Sequence, residues 1–256
     1  MDLSVVIPVK DEAANVAPLV AEIRAALDGL LDYEILYVDD GSEDGTAAEV
    51  ARLRAGAPHL RLLRHMGNYG QSAAIRSGVR AARAAWIATL DGDGQNDPAD
   101  IPKLWRIGLT APEAPSLLIA GYRETRQDSR RRRFASQIAN RVRRRILGDD
   151  TPDTGCGLKL FPRALFLDLP YFDHMHRFLP ALVLREGGTI RSIQVNHRPR
   201  RRGVSKYGIF DRLGVGIVDL FGVIWLKRRA AGPHLLDEVL PDSESAATSA
   251  SISVVR

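Results

Sequence analysis

Three aspartates and a glutamine crowd one short stretch, WIATLDGDGQNDP from Trp86 to Pro98. An apolar run ends at Leu90, and Asp91, Asp93, Gln95 and Asp97 follow it with glycines between them. Gathering like charges costs free energy unless a cation compensates them. Asp91, Asp93 and the Gln95 amide therefore form a candidate ligand set for a hard divalent ion. Mg²⁺ suits it, because this ion takes one or two carboxylates, keeps some waters and completes its shell with substrate phosphates. Asp-Gly steps also build ordinary solvated turns, and the stretch alone does not choose between the two.

The elements that would position these residues can be read from the apolar runs. Leu3 to Val9, Tyr33 to Val38, Leu60 to Leu63 and Trp86 to Leu90 read as buried strands, with helical patterns over Val16 to Leu30, Thr46 to Arg54 and Ser72 to Ala84. Repeated βα units imply an α/β fold, a mostly parallel sheet covered by helices on both faces. Ligands on such sheets bind beyond the carboxyl ends of the strands. Lys10, Asp11 and Glu12 follow the first strand, Asp39 and Asp40 the second, and Asp91 and Asp93 the strand ending at Leu90. Three acidic clusters share one rim.

The second half is less regular. Ser116 to Tyr122 and the GLKLF run from Gly157 read as strands, a helix lies within Arg177 to Glu186, and Thr189 to His197 reads as a strand. Between them the segment from Ser129 to Leu147 reads as a helix loaded with arginine, with Phe134, Ile138, Val142 and Ile146 as an apolar stripe. From Gly208 to Arg229 a further amphipathic helix places Leu213, Ile217, Leu220, Ile224 and Trp225 on one surface, ending in Lys227, Arg228 and Arg229. A membrane-spanning helix needs about 20 predominantly apolar residues, and Asp219 interrupts a shorter run. The segment reads as a helix lying in a membrane interface, its cations meeting anionic headgroups; docking on the domain or on a partner subunit is the competing reading. The domain plan is thus one α/β domain over 1–207, the amphipathic helix over 208–235, and a Ser/Ala-rich tail over 236–256 that reads as disordered.

Composition narrows the partners only in part. The net charge of +5 over 256 residues points to an anionic partner, with phosphorylated metabolites, a membrane surface and nucleic acid all allowed. Lysine occurs only at positions 10, 103, 159, 206 and 227, so arginine carries nearly all the positive charge. The single cysteine, Cys156, rules out an internal disulfide framework and fits a reducing compartment. Met1 to Val9 reads directly as a strand, with no signal peptide ahead of it. No Ser-His-Asp set is present, and His65 and His197 receive no catalytic role.

VIPVKDE at Val6 to Glu12, VDDGSEDGT at Val38 to Thr46 and LDGDGQNDP at Leu90 to Pro98 together resemble the family 2 glycosyltransferases of GT-A fold. AGYRETRQDS at Ala120 to Ser129, DTGCGLKLF at Asp153 to Phe161 and RPRRRGVSKYG at Arg198 to Gly208 are similar to the polyprenyl-phosphate branch. The resemblance implies an inverting transfer of one sugar from a nucleotide-sugar donor to a polyprenyl phosphate, with Mg²⁺ or Mn²⁺ held by Asp91, Asp93 and Gln95 against the leaving diphosphate. Pro8, Glu12, Asp39 and Asp40 would line the nucleotide pocket, where carboxylates accept hydrogen bonds from a base edge or ribose.

The acceptor phosphate would be met by Arg123, by Arg133 of the run Arg130 to Arg133, and by Arg200, Ser205 and Lys206 of the R-x-x-G-x-S-K loop. The planar fork of arginine suits phosphate. Asp153 would bind the acceptor region or hold its turn with Gly155, and Arg76 reads as a solvated helix residue. Relatives of this branch carry further membrane helices, so the expectation is peripheral attachment on the cytoplasmic face of the membrane, to the lipid surface or through a membrane partner protein. A soluble or saccharide acceptor is the rival within the fold. A nucleic-acid module using the arginine run leaves the acidic rim unexplained, and no nucleic-acid partner is expected.

Overall fold

Each apolar run of the first half forms a strand, and the runs are continuous because the strands are covered on both faces. These are β1 (Leu3–Val9), β2 (Tyr33–Asp39), β3 (Leu60–Arg64) and β4 (Trp86–Thr89), with α1 (Ala13–Leu27), α2 (Thr46–Leu53) and α3 (Gln71–Ala81) between them. The computed structural model describes residues 1–123, 146–200 and 209–229, the stretch 209–215 as backbone alone. Most of the expected arginine-rich helix, together with Arg133, Ser205, Lys206 and the tail over 236–256, lies outside the described residues.

In the second half come α4 (Ile101–Thr110), β5 (Leu117–Tyr122), β6 (Lys159–Pro162), α5 (Arg163–Asp168), α6 (Leu179–Arg185), β7 (Thr189–Gln194) and α7 (Ile209–Arg228). Neither α4 nor α5 was expected. The signal for α4 is nonetheless present, since it buries Ile101, Leu104, Trp105 and Gly108 at the i, i+3, i+4, i+7 spacing of one helical face. Asp97 belongs to its entry rather than to an acidic site: its Oδ1 accepts the Ala99 N–H at 3.0 Å ahead of Pro98.

The described strands form one sheet in the order β3-β2-β1-β4-β6-β5-β7. All neighbours are parallel except β6, which runs antiparallel to both β4 and β5. Register brings the rim together. Val9 pairs with Asp39 and Val6 with Thr89, so the residues after β1, β2 and β4 emerge side by side. One face is covered by α1, α2 and α4 over Val5, Ile7, Ile35 and Leu160. The other is covered by α3, α5, α6 and α7 over Val6, Val38, Ile87 and Phe161. Gly78 lets α3 lie close on this second face, since a Cβ there would overlap Val6.

The C-terminal helix divides the apolar surface expected for it. Val223 is fully buried, with Leu220, Ile224 and Leu226 packed on the same cluster, whereas Ile217 and Trp225 are exposed. The helix is therefore docked on the domain and still shows an apolar side to its surroundings. No helix among the described residues is long and apolar enough to cross a membrane.

Candidate active site

The first two rim loops are stapled to each other before any ligand is considered. The Asp11 N–H donates to Ser42 Oγ at 2.8 Å, the Glu12 N–H to Thr46 Oγ1 at 2.9 Å, and Lys10 Nζ to Gly41 O at 2.8 Å. Asp11 adopts φ 48°, and its Oδ1 accepts the Glu43 N–H at 2.7 Å. Gly41 is needed at its place because a side chain there, at φ 72°, would meet the Gly67 backbone at 2.6 Å. Glu12 is left with its carboxylate over the site, where Oε2 accepts from Asn15 Nδ2 at 2.6 Å.

Asp39 and Asp40 have separate tasks. Asp40 holds the loop after β3: it accepts the Tyr69 N–H at 2.9 Å and the Gly70 N–H at 2.7 Å, and faces His65 Nδ1 at 2.7 Å. His65 reaches Ser77 Oγ with its other nitrogen at 2.9 Å, which makes it a structural link. Asp39, 0% exposed, accepts the Ser42 N–H on Oδ1, while its Oδ2 has no hydrogen-bond partner and lies 3.4 Å from Arg64 Nε. A buried carboxylate oxygen without a hydrogen bond is expensive. Of the pair, Asp40 has both oxygens hydrogen-bonded, whereas Oδ2 of Asp39 is held only by its ion-pair contact with Arg64.

Asp91 leaves the end of β4 at the bottom of the cleft. Its Oδ1 accepts from Gln71 Nε2 at 2.8 Å, and its carboxylate rests so closely on Gly157 that a Cβ at that glycine would overlap it. Asp93 turns its loop by accepting the Gln95 N–H on Oδ1 at 3.1 Å. Burial, and then the charge of Asp93, push the Asp91 carboxyl up to about 6, against the opposing pull of Lys159 and Arg123. The loop is closed from the far end of the chain. Arg198 donates its N–H to Gln95 O at 2.9 Å, Gln95 Nε2 donates to Arg198 O at 3.3 Å, and Asn96 bridges to His197.

The cations are not distributed as the motifs suggest. Arg200 lies between two donor-side carboxylates, with Nη2 2.8 Å from Asp93 Oδ2 and Nη1 3.4 Å from Glu12 Oε1. Arg123 grips Asp153 with two parallel hydrogen bonds of 2.5 and 3.0 Å. These bonds hold its guanidinium further toward the charged form despite burial, and Asp153 also accepts the Gly155 N–H at 3.2 Å. The Arg76 guanidinium stacks 4.1 Å over the Tyr171 ring.

Asp91, Asp93 and Gln95 are brought together on one loop. Among the described residues no group of three or more His, Cys, Asp or Glu side chains forms a metal cluster by itself. The donor set still fits a divalent ion completed by substrate: two neighbouring carboxylates, one of them raised to about 6 by burial and then by the charge of the other, and an amide whose nitrogen is already engaged, leaving its oxygen to ligate.

Sequence reasoning missed Lys159 and Gln71. Lys159 is 4% exposed, donates to Thr154 O at 3.2 Å and to Cys156 O, and its ammonium is disfavoured by burial. A lysine inside the apolar run GLKLF was the signal available for it. Nothing in the local pattern marks Gln71, which works through a partner 20 positions away. Pro8, half-buried on β1, lies beside Gly92, whose absent side chain would come within 3.2 Å of the Pro8 carbonyl.

A sheet of this order with a carboxylate-lined cleft at the carboxyl ends defines the GT-A class of glycosyltransferase fold, and solved structures agree. Mannosyl-3-phosphoglycerate synthase from Rubrobacter xylanophilus superposes with a TM-score of 0.70 at 19% identity, over 95% of this chain and 79% of that one. Glucosyl-3-phosphoglycerate synthase from Mycobacterium tuberculosis, solved with Mn²⁺, UDP-glucose and phosphoglyceric acid, gives 0.64 at 18% over 94% and 84%. The family model for glycosyl transferase family 2 matches residues 4–169, and the chain belongs to that family.

Among curated relatives, dodecaprenyl-phosphate galacturonate synthase of Rhizobium johnstonii is 37% identical over 240 residues, 91% of this chain and 69% of that protein. Undecaprenyl-phosphate 4-deoxy-4-formamido-L-arabinose transferase of Aeromonas hydrophila is 33% identical, over 83% of this chain and 65% of that protein. The chain thus spans about two thirds of the length of these relatives.

Proposed function

We propose that this protein transfers one sugar from a nucleotide sugar to the phosphate of a polyprenyl phosphate, with inversion and with Mg²⁺ or Mn²⁺. The observation that carries this reading is the shared rim, where Glu12, Asp39, Asp91 and Asp93 stand at or just after the carboxyl ends of the neighbouring parallel strands β1, β2 and β4, and Arg200 lies between Glu12 and Asp93. The names of the two polyprenyl-phosphate relatives support the acceptor class, and the metal complexes of the solved M. tuberculosis enzyme support the ion. The donor is a GDP- or UDP-sugar.

In this reading Asp39 accepts a hydrogen bond from the nucleoside on Oδ2, which has an ion-pair contact with Arg64 and no hydrogen bond of its own. Asp91, Asp93 and Gln95 would hold the ion, which supplies positive charge to the leaving diphosphate when bound. Gln71 and Gly157 fix the Asp91 carboxylate in place. Arg200 occupies Asp93 until an ion competes for it, and is then available to a phosphate at the same spot. Arg123, set by Asp153, lends charge to the acceptor phosphate, and Arg133, Ser205 and Lys206 are assigned to the same phosphate by their motifs alone. An acceptor phosphate is anionic at neutral pH and attacks without a strong general base.

The test incubates the purified protein with Mg²⁺ or Mn²⁺, a short-chain polyprenyl phosphate in detergent and a panel of GDP- and UDP-sugars, with glycolipid read by mass. Parallel arms offer 3-phosphoglycerate and an oligosaccharide instead. A polyprenyl-phosphate monosaccharide from at least one donor is expected. Product only in the soluble-acceptor arms, or in none while the protein stays folded, overturns the assignment.

A further inference from the structure

The second apolar side of α7 has no partner among the described residues. Val218, Phe221 and Trp225 are 70, 67 and 59% exposed at i, i+3, i+7 spacing, and Ile217 flanks them. That spacing puts all three on one stripe. One turn further along the same stripe come Arg228 and Arg229, both exposed. Lys227 does not join them, because its ammonium turns inward to Leu147 O. Asp219 is also withdrawn, with Oδ2 3.3 Å from His174 Nδ1.

We propose that this stripe seats on the surface of an anionic lipid bilayer, Val218, Phe221 and Trp225 entering the interface and Arg228 and Arg229 meeting the headgroups. The proposal deepens the proposed function, since a polyprenyl acceptor lives in a bilayer. Aromatic and aliphatic residues aligned with arginines, with the acid of the same stretch turned away, match what an interfacial helix needs. A second copy seated on this stripe would offer no acidic group to those arginines, because the described residues of the stripe include none.

Position adds a second argument. His174, which receives Asp219, follows Asp173, and Asp173 Oδ1 lies 3.4 Å from where a Cβ on Gly70 would be. Gly70 is bonded to Asp40 at the rim, and Tyr69 beside it is exposed, as are Met66 and Tyr171. A bilayer under α7 is therefore within one loop of the cleft.

Trp225 supplies the probe. The other two tryptophans, Trp86 and Trp105, pack edge to face at 6.1 Å on the opposite side of the sheet. With vesicles of phosphatidylcholine containing about one third phosphatidylglycerol, emission should shift to the blue and be quenched by brominated acyl chains, and Trp225→Phe should remove both effects. Val218→Ser with Phe221→Ser should weaken co-sedimentation by about tenfold or more, with thermal unfolding unchanged because both residues are exposed. Leu109→Ser, an exposed apolar residue on the opposite face, should leave binding as it was. Vesicle binding that ignores the double substitution, no binding to anionic vesicles, or a dimer in light scattering that the double substitution dissolves would each overturn the proposal. Glycolipid synthesis in detergent without vesicle binding would sink the surface and leave the transfer reaction standing; vesicle binding without glycolipid would do the reverse.

Discussion

Asp91 is a carboxylate held where its charge is unwelcome, and that has a measurable cost. Its carboxyl is raised from an ordinary 3.8 to about 6 by burial and by Asp93. The folded chain therefore binds this proton more tightly than the unfolded one, and stability falls as pH rises from about 4 through about 6, by roughly 3 kcal/mol in metal-free protein. Asp91→Asn should thus melt several degrees higher than the parent at pH 8 in chelator, with the difference gone at pH 4, and should lose transfer activity. Thermal unfolding across that pH range checks the first part and product formation the second. Clustered charge is visible in one dimension, so residue types and spacing bring Asp91, Asp93 and Gln95 forward as candidates, and the fold keeps them on one loop. Types and spacing could not separate Asp39 from Asp40, a distinction made by the loop that Asp40 anchors, nor reveal Lys159 and Gln71, whose partners arrive from other elements. Arg200 was expected on the acceptor side from its motif, yet its described contacts are to Glu12 and Asp93.

At the scale of elements, the turn from Asp153 to Lys159 decides how the cleft floor is built. Lys159 draws in the Thr154 and Cys156 carbonyls, Asp153 clasps Arg123, and Gly157 gives room to Asp91. Gly157→Ala should push the Asp91 carboxylate off its seat, costing about 1–3 kcal/mol of stability and roughly a hundredfold or more in turnover, since a displacement of about 1 Å is felt that strongly. Denaturant titration and initial rates with the active donor check both, and full activity in a folded variant would remove the turn from the site. The first four strands were legible because a buried parallel strand is a continuous apolar run. The antiparallel direction of β6 was not, since periodicity does not encode direction. The apolar spacing of α4 is regular, but the sequence reading stopped at the acidic loop ahead of it.

Across the whole molecule, the cleft lies between the parallel strands β1, β2 and β4 and the later segment that carries Arg198 and Arg200. Anything that binds the folded cleft and not the unfolded chain raises the melting temperature by mass action. UDP or GDP together with Mn²⁺ should therefore stabilise the parent protein by a few degrees, and Asp93→Ala should abolish the metal-dependent part while the variant remains folded. A scan of melting temperature with nucleotide, with metal and with both separates the two; an unchanged metal response in Asp93→Ala would refute the assignment of that ligand. The sequence announced α7 as amphipathic but left docking and membrane contact as alternatives. The helix is apolar on two sides, and three-dimensional packing was needed to show that one side is spent on the domain.

The clasp between Gln95–Asn96 and His197–Arg198 also bears on how the protein comes into being. The loop carrying Asp91, Asp93 and Gln95 is synthesised early, yet its closing hydrogen bonds come from residues about a hundred positions later. Contacts so distant along the chain form late. During synthesis the first four strands can assemble while the acidic loop is still open, and the cleft is finished only after Arg200 has left the ribosome. In refolding, secondary structure should return before nucleotide binding does, so the order of assembly keeps the enzyme inactive until most of its chain is in place.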